Sequence, residues 1–257
     1  MKIYLAVILY ILINSNSLNA HELWLEAYEY SLKNNGKIKA EIKVGTDLVG
    51  ESFPYISEET EKLFLVSIRG LKKLDQIDGN YPAIQETANY SGVQYLYYQS
   101  RKDFLKYDDY KSFVDFTDEY YLSYDKKNKN IPSEIYQRYA KLIFDGKPNS
   151  FFKTKQNLKF EIINQNNPYK NNLSEIQIFL KKKPFINKKF IVFFKNENVF
   201  ERKIYQTDSN GFAKIDTSKK GLYLISAVDL EKINLIAKIK YKADYFSRWA
   251  SLTFRKN

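Results

Sequence analysis

The chain has 257 residues, 44% of them apolar, enough to bury one large core or two modest ones, so global disorder is excluded. With no cysteine and a single histidine, His21, it has no disulfide, no cysteine-ligated zinc or iron-sulfur site, no thiol nucleophile, and no triad or metal site that needs two histidines. A formal charge of +11 would suit nucleic acid, but only six of the 41 basic residues are arginine and the positives form no single run, so a solvated lysine-rich surface is expected and no nucleic-acid partner.

In chain order, Lys2 is followed by eleven uncharged residues, Ile3 to Ile13, and then by a polar stretch ending in Ala20. A membrane span needs about 20 apolar residues, so residues 1–20 read as a secretory signal peptide cut after Ala20. No later segment is apolar for long enough to span, and export without cysteines favours a bacterial periplasm.

From Glu22 the pattern is that of short strands. Leu23, Leu25 and Ala27 alternate with Trp24, Glu26 and Tyr28, and Ile38, Ala40, Ile42 and Val44 alternate with lysines and Glu41. Further runs lie at Leu63–Ile68, Val93–Gln99 and Tyr136–Phe144. Between Asp109 and Asp125, residues Phe113, Phe116, Tyr120 and Tyr124 recur at steps of three and four, which predicts an amphipathic helix over about 109–125. Its aromatic face reads as core packing against the first sheet, with a ligand lid as the alternative.

Beyond residue 155 the pattern is entirely β, with strands expected at 158–163, 176–180, 190–194, 199–206, 212–215, 222–228, 233–239 and 249–254. The turn-formers Asp208-Ser209-Asn210-Gly211 read as a sharp hairpin. The fold class is therefore all-β: two β-sandwich domains, 21–155 with the helical insertion and 156–257, Ig-like or prealbumin-like in kind.

Several phrases stand together in order: His21-Glu22-Leu23-Trp24-Leu25-Glu26, Val44-Gly45 with Gly50, Tyr136-Gln137-Arg138-Tyr139-Ala140-Lys141, Phe160-Glu161-Ile162-Ile163 before Asn167-Pro168, Thr207-Asp208-Ser209-Asn210-Gly211, Gly221-Leu222-Tyr223-Leu224-Ile225 and Trp249-Ala250-Ser251-Leu252-Thr253-Phe254. Together they resemble the DUF4198 family of exported bacterial proteins, linked by name to nickel uptake. Residues 183–228 also resemble the carboxypeptidase-regulatory and Cna-B type of Ig-like sandwich. The resemblance implies an exported protein handling nickel, cobalt or copper at the cell envelope, with a metal-uptake transporter or an outer-membrane receptor as partner, and no established enzymatic activity. Relatives often carry a histidine near the end of the Gly-Tyr strand, where Asp229 stands here.

A cut after Ala20 would leave His21 with both a free amine and an imidazole, a nitrogen pair suited to copper(II) or nickel(II), to which Glu22, Glu26 or Asp229 could add oxygen if the fold brought them close. The plain alternative is that His21 is a frayed terminus beside a strand. Adjacent acids such as Asp108 and Asp109, Glu58 and Glu59, or Asp118 and Glu119 point apart and make poor hydrolytic pairs. No nucleophile elbow, phosphate loop or dinucleotide turn is present, so no enzyme is expected. The alternative function is a structural or interaction module that binds a protein or glycan through aromatic residues, because Tyr95, Tyr97 and Tyr98 are not expected all to face inward.

Overall fold

The computed structural model describes residues 21–33, 36–88, 92–146 and 151–257; the proposed signal peptide lies outside them. Its strands are β1 (Glu22–Ala27), β2 (Ser31–Leu32), β3 (Lys37–Thr46), β4 (Val49–Phe53), β5 (Thr60–Ser67), β6 (Gly70–Lys73), β7 (Ile84–Thr87), β8 (Gln94–Ser100), β9 (Asp103–Lys106) and β10 (Ser133–Gly146). They continue with β11 (Phe160–Asn164), β12 (Leu173–Leu180), β13 (Lys183–Pro184), β14 (Lys189–Lys195), β15 (Phe200–Gln206), β16 (Phe212–Asp216), β17 (Gly221–Lys232) and β18 (Tyr245–Lys256). Among the described residues two helices interrupt them, α1 (Tyr110–Glu119) and α2 (Leu235–Tyr241).

The architecture is an all-β sandwich built on one central sheet in the order β15-β14-β17-β18-β10-β8-β5-β6, with β2 and β9 added beside β10. The β10–β18 step is parallel, and its neighbours on this path are antiparallel. One smaller sheet, β1-β3-β4 with β7, joins α1 over one face of the central sheet, and another, β11-β12-β13 with β16, covers the opposite face. Side-chain alternation divides each central strand between two cores. In β10, Ala140, Leu142 and Phe144 enter the first and Tyr139 and Ile143 the second; in β17, Leu222, Leu224 and Val228 are set against Tyr223, Ile225 and Ala227. The boundary expected near residue 155 falls between β10 and β11, and strands from both sides of it share the central sheet. The two sandwiches therefore have a layer in common.

This layering overturns the expectation about the tyrosines. Tyr95, Tyr97 and Tyr98 are only 1%, 0% and 4% exposed, because β8 is a central strand with a core on each face. No aromatic platform stands there. Three local expectations also change. Residues 233–239 do not make a strand: Asn234 caps α2 by accepting the Ala237 N–H at 2.9 Å, and Lys242 ends it in the left-handed region. The Asp208–Gly211 turn is tight as expected, with Asp208 Oδ1 accepting the N–H groups of Asn210 and Phe212. However, it passes the chain from β15 in the central sheet to β16 in a covering sheet, and so is not a paired hairpin. Finally, α1 stops at Glu119, where Tyr121 turns left-handed and the Leu122 N–H closes on the Thr117 carbonyl at 2.8 Å. Its aromatic face is core, as expected, but it packs mainly on the last strand: Phe116 stacks on Trp249 at 5.5 Å, and Phe113 meets Tyr245 at 5.2 Å.

Candidate functional site

β1 begins beside the β3–β4 turn, with Glu22 opposite Gly45 and Leu23 opposite Val44. This corner is tight because a Cβ at Gly50 would lie 2.7 Å from the ring of Trp24 and 2.5 Å from the Val44 carbonyl oxygen. His21 immediately precedes the strand and is half-buried. Its Nδ1 lies 3.0 Å from Thr46 Oγ1. Burial first, and then the nearby Arg138 cation, hold its imidazole below the usual histidine range.

The other expected metal ligands lie elsewhere. Successive residues of an extended chain project to opposite sides, so Glu22 diverges from His21. Glu22 is buried beneath α1, where Oε1 accepts the Tyr120 hydroxyl at 2.7 Å and Oε2 has no partner. Burial pushes its carboxyl up to about 7, opposed by the Tyr120 hydrogen bond and reinforced by Glu119 and Asp47. Asp229 pairs with Arg248 at 2.8 Å, and the same guanidinium binds Glu231 at 2.8 Å. Burial raises the Asp229 carboxyl, with Arg248 opposing. Val228 and Trp249 face the core that holds Tyr120, so their strand neighbours Asp229 and Arg248 face the other side of the sheet. Among the described residues no three His, Cys, Asp or Glu side chains stand close enough together to hold a metal.

What the corner does contain is a groove of about 420 Å³ between the small sheet and the central one. Leu23, Ile42, Val44, Phe53 and Tyr98 give it an apolar wall, and exposed Glu58, Glu59, Arg101, Lys102 and Asp103 form a rim of mixed charge. Arg138 of β10 reaches it from the floor. Its guanidinium lies 4.6 Å from the centre of the Tyr136 ring, and its Nε is buried with no hydrogen-bond partner. Tyr136 is held in place by donating its hydroxyl to Asp103 Oδ2 at 2.5 Å. Among the described residues, Arg138 has no carboxylate in ion-pair contact. A half-buried cation in no contact ion pair, set in an apolar wall and with the buried Glu134 carboxyl close enough to interact with its charge, can hold an anionic group whose remainder is apolar. Sequence reading missed Arg138, although a signal was there. Charged residues within a β run, Arg138 and Lys141 in the Tyr136–Lys141 phrase, are unusual in a strand with both faces covered.

No helix among the described residues is long and apolar enough to cross a membrane. No curated protein matches the chain, and no solved structure does. The C-terminal likeness to Cna-B-type domains therefore gains no support from these comparisons. A family model described as a domain of unknown function covers residues 18–230, from before His21 to the later part of β17, and on that match the chain belongs to the DUF4198 family.

Proposed function

We propose that this is an exported, non-enzymatic binding protein of the bacterial cell envelope, and that the groove over Arg138 takes a small apolar molecule carrying one carboxylate or similar anion. The observation that carries this reading is the Arg138 guanidinium, which is half-buried, stacked on Tyr136 and without a carboxylate partner among the described residues. The groove's size suits it, because small-molecule sites run from about 300 to 1,000 Å³ and combine apolar walls with few polar anchors. Calorimetric titration with decanoate and with decanol tests it. Decanoate should bind, decanol should bind much more weakly, and Arg138→Gln should remove the difference. Equal binding of the two compounds, or an unchanged Arg138→Gln variant, would overturn the reading.

A second reading, metal handling through a mature N-terminus at His21, is favoured by the half-buried setting of this histidine at the head of β1, where burial and then Arg138 hold its imidazole below the usual histidine range, the direction that leaves a ring nitrogen free to act as a donor. In this reading the metal is nickel, cobalt or copper, and the partner is a metal-uptake transporter or outer-membrane receptor. The site consists of the amine and imidazole alone, since Glu22 and Asp229 are engaged elsewhere.

A further inference from the structure

The chain leaves the central sheet after Lys232 and rejoins it at Tyr245, and α2, which lies in between, has no buried residue. Its large aliphatic side chains are strongly exposed: Leu235 73%, Ile236 81% and Ile239 72%. At about 100° per residue these three fall within an arc of about 100°, so they form one stripe along the helix. Lys238 and Lys240 fall on either flank of that stripe; the Lys238 ammonium pairs with Asp244 at 2.5 Å, and the Lys240 ammonium lies 5.3 Å from the centre of the Tyr241 ring. Tyr241 lies on the far side, where its ring stacks under the Lys102 ammonium at 5.1 Å and its hydroxyl accepts from Lys102 Nζ at 3.4 Å. The Tyr241 side therefore faces the protein and the stripe faces away.

The helix forms without any help from the stripe, through the Asn234 cap and the left-handed Lys242. The surroundings are basic. The loop that enters β10 carries Lys126, Lys127 and Lys129, and its end is tied to the end of the α2 excursion by the Asp244 N–H donating to the Ser133 carbonyl at 2.9 Å.

We propose that α2 docks the protein on a membrane surface rich in anionic phospholipid, with Leu235, Ile236 and Ile239 set among the headgroups, and with the solvent-exposed Lys238 and Lys240 exchanging their contacts with Asp244 and Tyr241 for the phosphates. Aliphatic side chains gain by leaving water, and flanking lysines can stretch their stems along the stripe while their ammonium groups reach phosphate. A second copy fits the stripe poorly, because a two-fold contact would set Lys238 and Lys240 against their own images. The contact is reversible, since three side chains of one short helix bury little area.

The test is flotation of the purified exported protein with vesicles of phosphatidylglycerol and phosphatidylcholine, beside vesicles of phosphatidylcholine alone. The comparison protein is the triple variant Leu235→Ser, Ile236→Ser, Ile239→Ser. Both proteins carry the same N-terminus, so any contribution from residues 1–20 cancels, and matched thermal unfolding verifies that the variant is folded. Wild type should bind the anionic vesicles and lose binding as salt rises, and the triple variant should bind roughly tenfold less tightly or worse. A Lys238→Glu, Lys240→Glu variant should fall to a similar degree. Equal binding of wild type and triple variant, binding that ignores lipid charge, or no vesicle binding at all would overturn the proposal. Self-association lost in the triple variant without any vesicle binding would overturn it in favour of a second copy.

Discussion

Lys141 Nζ stands 3.2 Å from Glu161 Oε1 in a part of the core where neither side chain is more than 1% exposed. The ammonium also meets Thr154 Oγ1 at 3.1 Å and lies over the rings of Tyr95 and Tyr97 at 4.8 and 5.1 Å. The second carboxylate oxygen accepts the N–H groups of Asn157 and Leu158 at 2.6 and 2.9 Å. Both ions are thus satisfied, and the pair ties β10 to β11 across the segment around residue 155. Burial lowers the Lys141 pKa and Glu161 opposes that shift.

Desolvation offsets much of the attraction in such a pair, but removing one member leaves a buried charge alone, at a cost of about 3–5 kcal/mol. Lys141→Met and Glu161→Gln should each lower stability by that order. The double variant should be far less destabilised than the sum of the two, because no buried charge is left unpaired and the amide oxygen introduced by Glu161→Gln still accepts the backbone N–H groups. Denaturant unfolding of all four proteins checks this, and additive losses would mean that the pair is not energetically coupled.

The aromatic helix sits over two buried carboxyls. Glu22 accepts from Tyr120, and Glu134 accepts from Ser247 at 3.1 Å, whose hydroxyl in turn accepts the Trp249 indole N–H at 3.1 Å. Burial pushes both carboxyls from the usual 4.5 up to about 7. Between those values the folded protein holds protons that the unfolded chain releases. Stability from these groups is therefore fully present below about pH 4.5 and falls as pH rises to 7, by about 1.4 kcal/mol per pH unit for each carboxyl. Glu22→Gln and Glu134→Gln should each flatten the loss between pH 5 and 7.5 relative to wild type. Unfolding curves across that range give the comparison, and parallel slopes in all three proteins would place both ionisations outside the folded core.

The parts of this fold that could be read from the sequence were strands with one covered face. In β3, Ile38, Ala40 and Ile42 are buried and Lys37 and Lys39 exposed, so the alternation carried the strand. In β8 every residue from Gln94 to Gln99 is buried, which hides the alternation and made its tyrosines look surplus. The parallel pairing of β10 with β18 joins residues more than a hundred positions apart, and no local pattern records it. The segment at 233–239 failed for a related reason: its β-branched residues suit a strand, but no partner strand lies beside it, and local capping decided for a helix. At the candidate site the fold sets His21 beside Thr46 and near Arg138, and turns Glu22 and Asp229 away from it, because neighbouring residues of an extended chain face opposite sides and because Asp229 lies on a distant strand.

At the turn joining the two sheets, Gly211 has φ of 78°, and a Cβ there would meet Pro184 Cβ at 3.0 Å and the Ile178 carbonyl oxygen at 3.1 Å. Gly211→Val combines a backbone region hostile to β-branched residues with that crowding, so a loss of more than about 1 kcal/mol is expected. Because Gly211 also closes on Asp208 and its carbonyl accepts the Ile178 N–H, the loss should appear as a lowered denaturant midpoint. Thermal and denaturant stability equal to wild type would show that the turn relaxes at no cost.

The metal reading makes its own demand on the same corner. Cleavage after Ala20 is its first condition, and intact-mass measurement of the exported protein should correspond to residues 21–257; a retained Met1 would end it. Given that cut, an amine and the adjacent imidazole Nδ1 chelate a metal through one small ring, but Nδ1 here faces Thr46 Oγ1 at 3.0 Å. Metal must then compete with the threonine hydroxyl and work against the nearby Arg138 cation. Thr46→Val removes the first competitor and should raise copper(II) or nickel(II) affinity several-fold, in line with a hydrogen bond of about 1 kcal/mol. His21→Ala should abolish the chelate, and one extra residue before His21 should spoil it while leaving the ring. Binding should weaken as pH falls below the amine's usual range of about 7.7–8.0, because protons compete for the amine before they reach the imidazole, whose own pKa is held low. Calorimetric titration of the processed protein and these three variants separates the two readings of the corner. Metal affinity that ignores Thr46 and His21, alongside decanoate binding that depends on Arg138, would leave the groove as the site and remove the metal from it.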